Sequence, residues 1–530
     1  MRDAWRRWLP ALALDVHLLS PLIVERISFR GGEPLGVFVF SLTASLLWLT
    51  LLHGVFRRPA MMHVVLLPFH LVAAADLFAI VHYRTSLSSS VLSVLLENTG
   101  STGDFLVAHA GAIAAVLVPA GALCAFCIHR LRGTFGPRRL RLSAIAGVGL
   151  GVLYATGFAR VAYGDVGRLA AADRSAPFGV VSQGWLAWQV YRDAEAEDTR
   201  AFRFHARRTE DVDVPETYVL VIGESARRDH FGLYGYDRPT TPLLSQQSNL
   251  IVFRDVVTQA AYTSASVPLL LTRGSVEDPQ RARGERSILA LFGELGFDTR
   301  WLSTQQREPY AVAINRCSRD AGEQVFAENQ YDGALVGMLS RSLASCGSKR
   351  FIVIHMIGSH FPYASRRPPS FARFSATDAT WRAGLMRDYD DSVLYTDYVL
   401  SELVRTLTDT RGVKALLYVA DHGENLRDDD RDLVGHYWSN EYDLPIPMML
   451  WYSSELAERW PEKIAAANRS ATMRVSTRSV FYTLADLAGA TWGDPSIDTL
   501  SVLRPGFRET TRFVKRGEGI ADYDAWRAGR

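Results

Sequence analysis

Net charge is almost missing from this chain: 58 Lys and Arg stand against 56 Asp and Glu in 530 residues. A balance of +2 gives no whole-chain attraction for nucleic acid or for an acidic partner. Cysteine is scarce, at four residues, which excludes a disulfide-dense scaffold. Internal repeats and low-complexity segments are absent as well, so a solenoid is excluded. At this length more than one domain is expected.

What is present is hydrophobicity concentrated in the first third. Segments 35–56, 60–82, 105–128 and 142–163 approach or exceed the roughly 20 apolar residues that span a bilayer. A further segment, 8–24, is shorter and carries Asp15 and His17; no small-residue cleavage site precedes Glu25, so it reads as a retained helix. Arg2, Arg6 and Arg7, then Arg57 and Arg58, then Arg130, Arg132, Arg138, Arg139 and Arg141 all fall on one side of five spans. Arg26 and Arg30 dissent but are outnumbered. The Arg-rich side is cytoplasmic by the positive-inside rule, which puts everything after about Tyr163 across the membrane. In a Gram-negative bacterium that compartment is the periplasm.

These patterns divide the chain into a transmembrane domain (1–165), a bridging segment (166–215), a catalytic domain (216–510) and a C-terminal tail (511–530). Trp185, Trp188 and Tyr191 in the bridge suit a membrane surface or an ordinary linker helix equally. Cys124 and Cys127 lie within an apolar segment, where simple packing is the expectation. Cys317 and Cys346 lie in the translocated part, where an oxidising compartment permits a disulfide between them.

From Glu216 onward short apolar runs at 218–222, 251–253, 299–302, 351–355, 415–420 and 447–452 read as buried strands. Helical patterns at 287–295, 389–407 and 478–487 accompany them. The alternation predicts an α/β domain around a mostly parallel sheet, in which ligands gather beyond the carboxyl ends of the strands.

Three strands end in metal-ligand residue types. The first runs into Gly223-Glu224-Ser225, the fourth into His355 and on to His360, the fifth into Asp421-His422-Gly423-Glu424, and His436 follows. Carboxylate and imidazole suit zinc or manganese, and a buried carboxylate such as Glu224 needs a partner. Each signal alone is matched by a helix cap or a surface turn; together, at separate strand ends, they favour a metal centre. Hydroxyls at Thr263, Ser264 and Ser266 lie after the second strand. A metal-bound hydroxyl is a useful nucleophile, but the cluster also fits a helix cap, and spacing does not choose among the three.

The segments GESARRDHFGLYGYDRPTTP (223–242), AYTSASVP (261–268), HMIGSHFPY (355–363), DHGE (421–424) and the Gly435-His436 pair occur in this order. In this they resemble the bacterial phosphoethanolamine transferases, which include lipid A-modifying and mobile colistin-resistance enzymes. The resemblance implies five membrane helices and a periplasmic alkaline-phosphatase/sulfatase-like domain with a zinc-bound threonine nucleophile. Glu224, Thr263, Asp421 and His422 would hold the zinc, while His360 and His436 would contact the phosphoryl group or a second zinc. Glu97 and Asn98, between the third and fourth spans, would help form the substrate entrance; a solvated connecting helix is the plainer reading. His355 fits a strand-end side chain as well as a ligand.

The implied reaction takes phosphoethanolamine from phosphatidylethanolamine to lipid A, lipopolysaccharide or another glycan. Lipid A-directed relatives commonly carry Cys beside the nucleophile, and this chain has Gln-Ala-Ala-Tyr-Thr there, which leaves the acceptor open. A phosphoglycerol transferase of the lipoteichoic-acid-synthase type, using manganese, is the nearest rival. A membrane sensor or scaffold without activity is another. A true sulfatase is disfavoured, because no Cys/Ser-x-Pro-x-Arg segment is present.

Overall fold

The computed structural model describes residues 2–28, 35–83, 87, 92, 110–131, 134, 138–160, 169, 173–196, 199, 201–210, 212–305, 312–328, 330–378, 380–517 and 519–529. The chain forms two compact units, Met1–Asp193 and Ala194–Arg530.

The first unit contains α1 (Arg2–Ser28), α2 (Leu35–Val55), α3 (Pro59–Val65), α4 (Leu67–Tyr83), α5 (Ala110–Arg130), α6 (Arg138–Arg160) and α7 (Gly179–Ala196). Among the described residues four helices are long and apolar enough to cross a membrane, and α3 with α4, bent by 62°, makes a fifth if the pair counts as one span. The break falls at Leu66, just before Pro68, whose missing N–H interrupts the helical ladder. Val118 and Phe126 on α5 and Ile145, Val148 and Val152 on α6 are exposed apolar side chains, as a lipid-facing surface requires. Cys124 and Cys127 pack with Ala11, Leu14 and Leu131.

The second unit is built on eight strands: β1 (Glu216–Gly223), β2 (Leu250–Val257), β3 (Asp298–Ser303), β4 (Glu323–Phe326), β5 (Lys349–His355), β6 (Val413–Ala420), β7 (Pro445–Tyr452) and β8 (Arg474–Ser476). Their order across the sheet is β8-β2-β7-β6-β1-β5-β3-β4. Only β7 runs against its neighbours, β2 and β6. β1 lies between β5 and β6, parallel to both, and all its residues are buried. Burial on both faces explains why its sequence is continuously apolar rather than alternating. The two edge strands, β4 and β8, escape a sequence reading because they are short and largely only half-buried.

Two helices flank the carboxyl edge of this sheet, α8 (Thr263–Leu271) and α9 (Trp381–Thr408). The N-cap of α9 is Thr380, which accepts from the Ala383 N–H, and its inner face buries Tyr389, Val393, Leu400 and Leu403.

Some expectations change. Residues from Ala194 onward join the second unit, and Arg207–Arg208 pairs with Ala490–Thr491, so the segment 166–215 is not one separate bridge. Beyond residue 511 the chain makes a hairpin, Phe513–Arg516 with Gly519–Asp522, and Val514 and Tyr523 pack on Val257, Ala261 and Leu444. Cys317 and Cys346 are free thiols rather than a disulfide. Cys317 is sunk in the main core, while the Cys346 Sγ, at the end of the helix Ala334–Ser345, accepts from Arg300 Nε at 3.1 Å.

A candidate metal and phosphoryl site

β1 delivers Glu224 to the carboxyl edge of the sheet, and β6 delivers Asp421 and His422 beside it. The parallel register makes this a matter of strand length: Gly223 is opposite Ala420, so the next residues of both strands emerge together. The Asp421 N–H donates to Gly223 O at 2.9 Å, extending the pairing by one step.

Ser225 turns the chain away with φ 53°, the left-handed region that a non-glycine residue enters only where surroundings hold it. Its N–H donates to Asp421 Oδ1 at 3.0 Å, its hydroxyl donates to Glu224 Oε1 at 2.7 Å, and its carbonyl accepts from the Tyr389 hydroxyl at 2.7 Å. The residue therefore fixes two carboxylates. From the other side the loop after β5 lies on Glu224: Gly358, at φ +51°, allows Ser359 N–H to reach Glu224 O at 3.0 Å. A Cβ on Gly358 would stand 2.7 Å from that same oxygen.

Thr263 is the first residue of α8, and the helix has no side-chain cap bond. Instead the Thr263 hydroxyl donates to Glu224 Oε2 at 3.1 Å and lies 3.2 Å from His422 Nε2. Among the three candidate hydroxyls only Thr263 is hydrogen-bonded to this cluster; Ser266 is buried away with no partner for its Oγ. A helix N-terminus behind Thr263 also favours negative charge in front of it.

His422 donates from Nδ1 to Gly423 O at 2.8 Å, leaving Nε2 as the free lone pair. That nitrogen is 3.4 Å from Glu224 Oε1 and 3.3 Å from Asp421 Oδ2. Asp421 Oδ2 is buried without a hydrogen-bond partner. Glu224, Asp421 and His422 place one ligand atom each within 4.8 Å of one another. Burial pushes the carboxyl of Glu224 up to about 7, helped by the like charge of Asp421, and burial raises Asp421 to about 7. Burial drives His422 down to about 4. Two carboxylates, one neutral imidazole and a threonine hydroxyl, with an orphaned carboxylate oxygen facing in, fit a divalent cation with oxygen and nitrogen preference.

A second group adjoins the first. His422, Glu424 and His436 also bring ligand atoms within 4.8 Å. His436 Nδ1 is 3.1 Å from Glu424 Oε2, and the His422 and His436 ring centres are 4.2 Å apart. The His360 ring centre is 6.1 Å from that of His436, and its Nδ1 is tied to Phe361 O at 2.7 Å. Burial lowers His360 to about 4 and His436 to about 3. Tyr437 N–H donates to Ala261 O at 3.0 Å and its ring stacks on Tyr262 at 5.2 Å, so the His436 loop is joined to the Thr263 loop.

Not every candidate converges. His355 is buried edge-on against Trp301 at 5.5 Å and stands outside both ligand groups. Glu97 and Asn98 lie outside the described residues.

Sequence reasoning also missed contributors. Gln305 Nε2 donates to Glu224 Oε2 at 3.1 Å and to Met356 O at 2.9 Å. Asp332 accepts from the Ile357 and Gly358 N–H groups at 3.0 and 2.9 Å, which fixes the loop over Glu224. The Tyr363 hydroxyl donates to Glu424 Oε1 at 3.2 Å. For Gln305 a signal existed: it follows the end of β3, but a neutral amide lacks the charge that marks Glu224 or Asp421 after an apolar run.

A membrane-helix unit joined to a mostly parallel α/β unit, with carboxylates, imidazoles and a threonine hydroxyl at its strand ends, defines an anchored alkaline-phosphatase/sulfatase-like protein. The sulfatase family profile matches residues 216–490, and the chain belongs to that family. Among curated relatives, phosphoethanolamine transferase EptC of Escherichia coli O18:K1:H7 is 29% identical over 335 residues, 58% of this chain and 57% of that protein. The chain thus spans rather more than half the length of that relative. Kdo(2)-lipid A phosphoethanolamine 7''-transferase of Escherichia coli K12 is 29% identical over 412 residues, 71% of this chain and 72% of that one. Of solved structures, the zinc complex of the C-terminal periplasmic domain of Escherichia coli EptC has TM-score 0.54 and 27% identity, covering 60% of this chain and 95% of that domain. The integral membrane phosphoethanolamine transferase EptA of Neisseria meningitidis has TM-score 0.68 over 95% of this chain and 96% of its own; at 20% identity that likeness concerns the fold.

Proposed function

We propose that this protein moves phosphoethanolamine from phosphatidylethanolamine to lipid A or another envelope glycan through a phospho-threonine intermediate. The observation that carries the reading is the meeting of the Thr263 hydroxyl with Glu224 and His422 at 3.1 and 3.2 Å. Curated relatives named as phosphoethanolamine transferases support the choice of transferred group.

Glu224, Asp421, His422 and Thr263 would hold a zinc ion, an assignment supported by the zinc complex of the related periplasmic domain. Bound there, zinc lowers the pKa of the threonine hydroxyl and offsets charge on the phosphoryl oxygens. Thr263, without its proton, attacks the phosphorus of the lipid; a Thr263–phosphorus bond forms as the bond to the diacylglycerol oxygen breaks. The proton given up by Thr263 ends on that oxygen, and His360 and His436 are the groups at hand to relay it. In the second step an acceptor oxygen attacks the same phosphorus, its proton leaves, and the threonine oxygen departs and is protonated. The half-buried His360 and His436 remain beside the transferred group in both steps.

The Arg-rich flanks support a catalytic unit on the periplasmic side of an inner membrane. Both lipids are then reached without the enzyme leaving the bilayer, which replaces free encounter by a high local concentration.

Intact protein incubated with phosphatidylethanolamine and quenched is expected to carry phosphoethanolamine on Thr263 by peptide mass spectrometry. A glycerol-phosphate adduct would replace this reading with the phosphoglycerol one. An unmodified Thr263 during turnover would remove the covalent intermediate.

A further inference from the structure

The membrane-spanning unit contains a polar cluster for which phosphoryl transfer at the strand ends has no use. His17 of α1, His70 of α4 and Cys124 of α5 each bring one ligand atom within 4.8 Å of the others. His70 and Cys124 are both 1% exposed. His17 Nε2 and His70 Nδ1 are buried without a hydrogen-bond partner, and Cys124 is a free thiol. The span of α1 begins at Trp8, so His17 lies roughly 14 Å along it at 1.5 Å per residue. Unsatisfied polar nitrogens at that depth are costly, and intramembrane ionisable groups mark function more often than packing.

Behind His70 the polar groups are ordered in a line. The His70 Nε2 is 3.3 Å from His63 Nδ1. His63 Nε2 has no hydrogen-bond partner and lies 3.8 Å from Asp15 Oδ1, beyond hydrogen-bond reach, while Asp15 Oδ2 is 2.9 Å from His53 Nε2. A hydrogen bond to one ring nitrogen sets which nitrogen of a ligating histidine is left for a metal. Here His63 occupies Nε2 of His70 and leaves its Nδ1 without a partner.

The backbone is arranged to the same end. His63 and His70 lie on opposite arms of the 62° break between α3 and α4. Broken membrane helices are where ion sites form in other membrane proteins, because the bend turns side chains from both arms inward.

We propose that His17, His70 and Cys124 form a second metal site, inside the membrane-spanning unit, for a borderline-soft transition ion of the zinc(II) or copper(I) kind. Two imidazoles and a thiolate select such ions over magnesium or calcium, which prefer oxygen. Zinc binding releases the thiol proton and leaves a Cys124 sulfur–metal bond with no change of oxidation state. With one ligand from each of α1, α4 and α5, the ion ties three spans together, and its affinity adds to the stability of their packing.

The test uses purified full-length protein in nanodiscs with cobalt(II), zinc(II) or copper(I) supplied alone. The strand-end cluster contains no sulfur, so a thiolate-to-cobalt charge-transfer band reports the membrane site separately. The band is expected in wild type, in Cys127→Ala and in Asp421→Asn, lost in Cys124→Ala, and displaced by zinc(II). His17→Leu is expected to weaken binding at least 10-fold, and His63→Leu, which removes the support of His70 Nε2, by about 10–100-fold. Copper(I) uptake that depends on Cys124, without a cobalt band, keeps the site and identifies its ion. If folded, monodisperse wild-type protein gives no thiolate band and no Cys124-dependent uptake of any of the three ions, the proposal is overturned.

Discussion

Gln305 and Glu224, 81 positions apart, meet through a hydrogen bond of 3.1 Å from the amide Nε2 to the carboxylate Oε2. The same oxygen accepts from Thr263, so one carboxylate edge is shared by a hydroxyl and an amide. The glutamine orients the carboxylate while contributing no charge. Replacement by Leu is expected to cut metal affinity or transfer rate by about 10–100-fold with the fold intact, the usual cost of losing a ligand's support. Metal titration of Gln305→Leu followed by transfer assay checks this; wild-type behaviour would leave Gln305 with a loop-tethering role only.

Thr263 is expected to be irreplaceable by Ala, with transfer falling by at least about 10³-fold, since removing an attacking group ends the covalent route. Thr263→Ser keeps the hydroxyl and is expected to retain measurable transfer. Equal residual rates in the two variants would point to direct attack by the acceptor.

Chelation is expected to stop transfer and lower the unfolding temperature, because Glu224 and Asp421 are left as like charges buried side by side. Re-addition of zinc restores both, by an amount that grows with free metal concentration. Thermal unfolding with and without a chelator, repeated on Asp421→Asn, measures the effect, which should be smaller in the variant.

Arg227 is 2% exposed and holds Asp229, Asp428 and the Glu424 carbonyl while its guanidinium lies 4.8 Å from the Tyr442 ring centre. It locks the DHGE turn from beneath. Truncation to Ala leaves the little-exposed Asp428 unpaired and is expected to cost about 3–5 kcal/mol. Unfolding of Arg227→Ala would reveal a loss of that size, and Lys is expected to rescue only part of it because it lacks the fork.

Asp397 lies on α9 and accepts from the N–H groups of Leu243 and Leu244 at 2.9 Å each. Burial raises its carboxyl to about 6. The folded state therefore holds the proton more tightly than the unfolded chain, and this contribution to stability is full below about 4 and lost as pH rises through 6. Wild type should gain on Asp397→Asn by about 3 kcal/mol as pH falls across that window. A pH-independent difference would contradict the assignment.

Much of this was legible in the sequence because burial on both faces leaves an unmistakable trace. The central strands are apolar throughout, and a charged residue after such a run, as at Glu224 or Asp421, stands out. Spacing did not choose Thr263 over Ser264 and Ser266, since all three open the same helix; the family resemblance pointed to Thr263, and in the structure it is the one bonded to Glu224 and close to His422. The role of Ser225 was not legible, because nothing local reveals a positive φ held by bonds to Asp421 and Tyr389. The cysteines expected to pair are separately engaged, which depends on tertiary position alone. In the membrane unit only His17 stood out in the sequence; the break at Leu66, with His63 and His70 on its two arms, did not.

The placement of β1 between β5 and β6 also governs the order in which the molecule can be made. Glu216 pairs with Lys349 on one side and Val413 on the other. A strand with no polar face must therefore wait without either neighbour until Lys349–His355 has been made, and with one side open until Val413–Ala420 follows. Such delayed, non-local pairing is slow and exposed to aggregation. The N-terminal helices, made first and apolar enough to span a membrane, would tether the emerging chain, so that a chaperone would meet it as a tethered client, unable to diffuse into contact with most of its own kind.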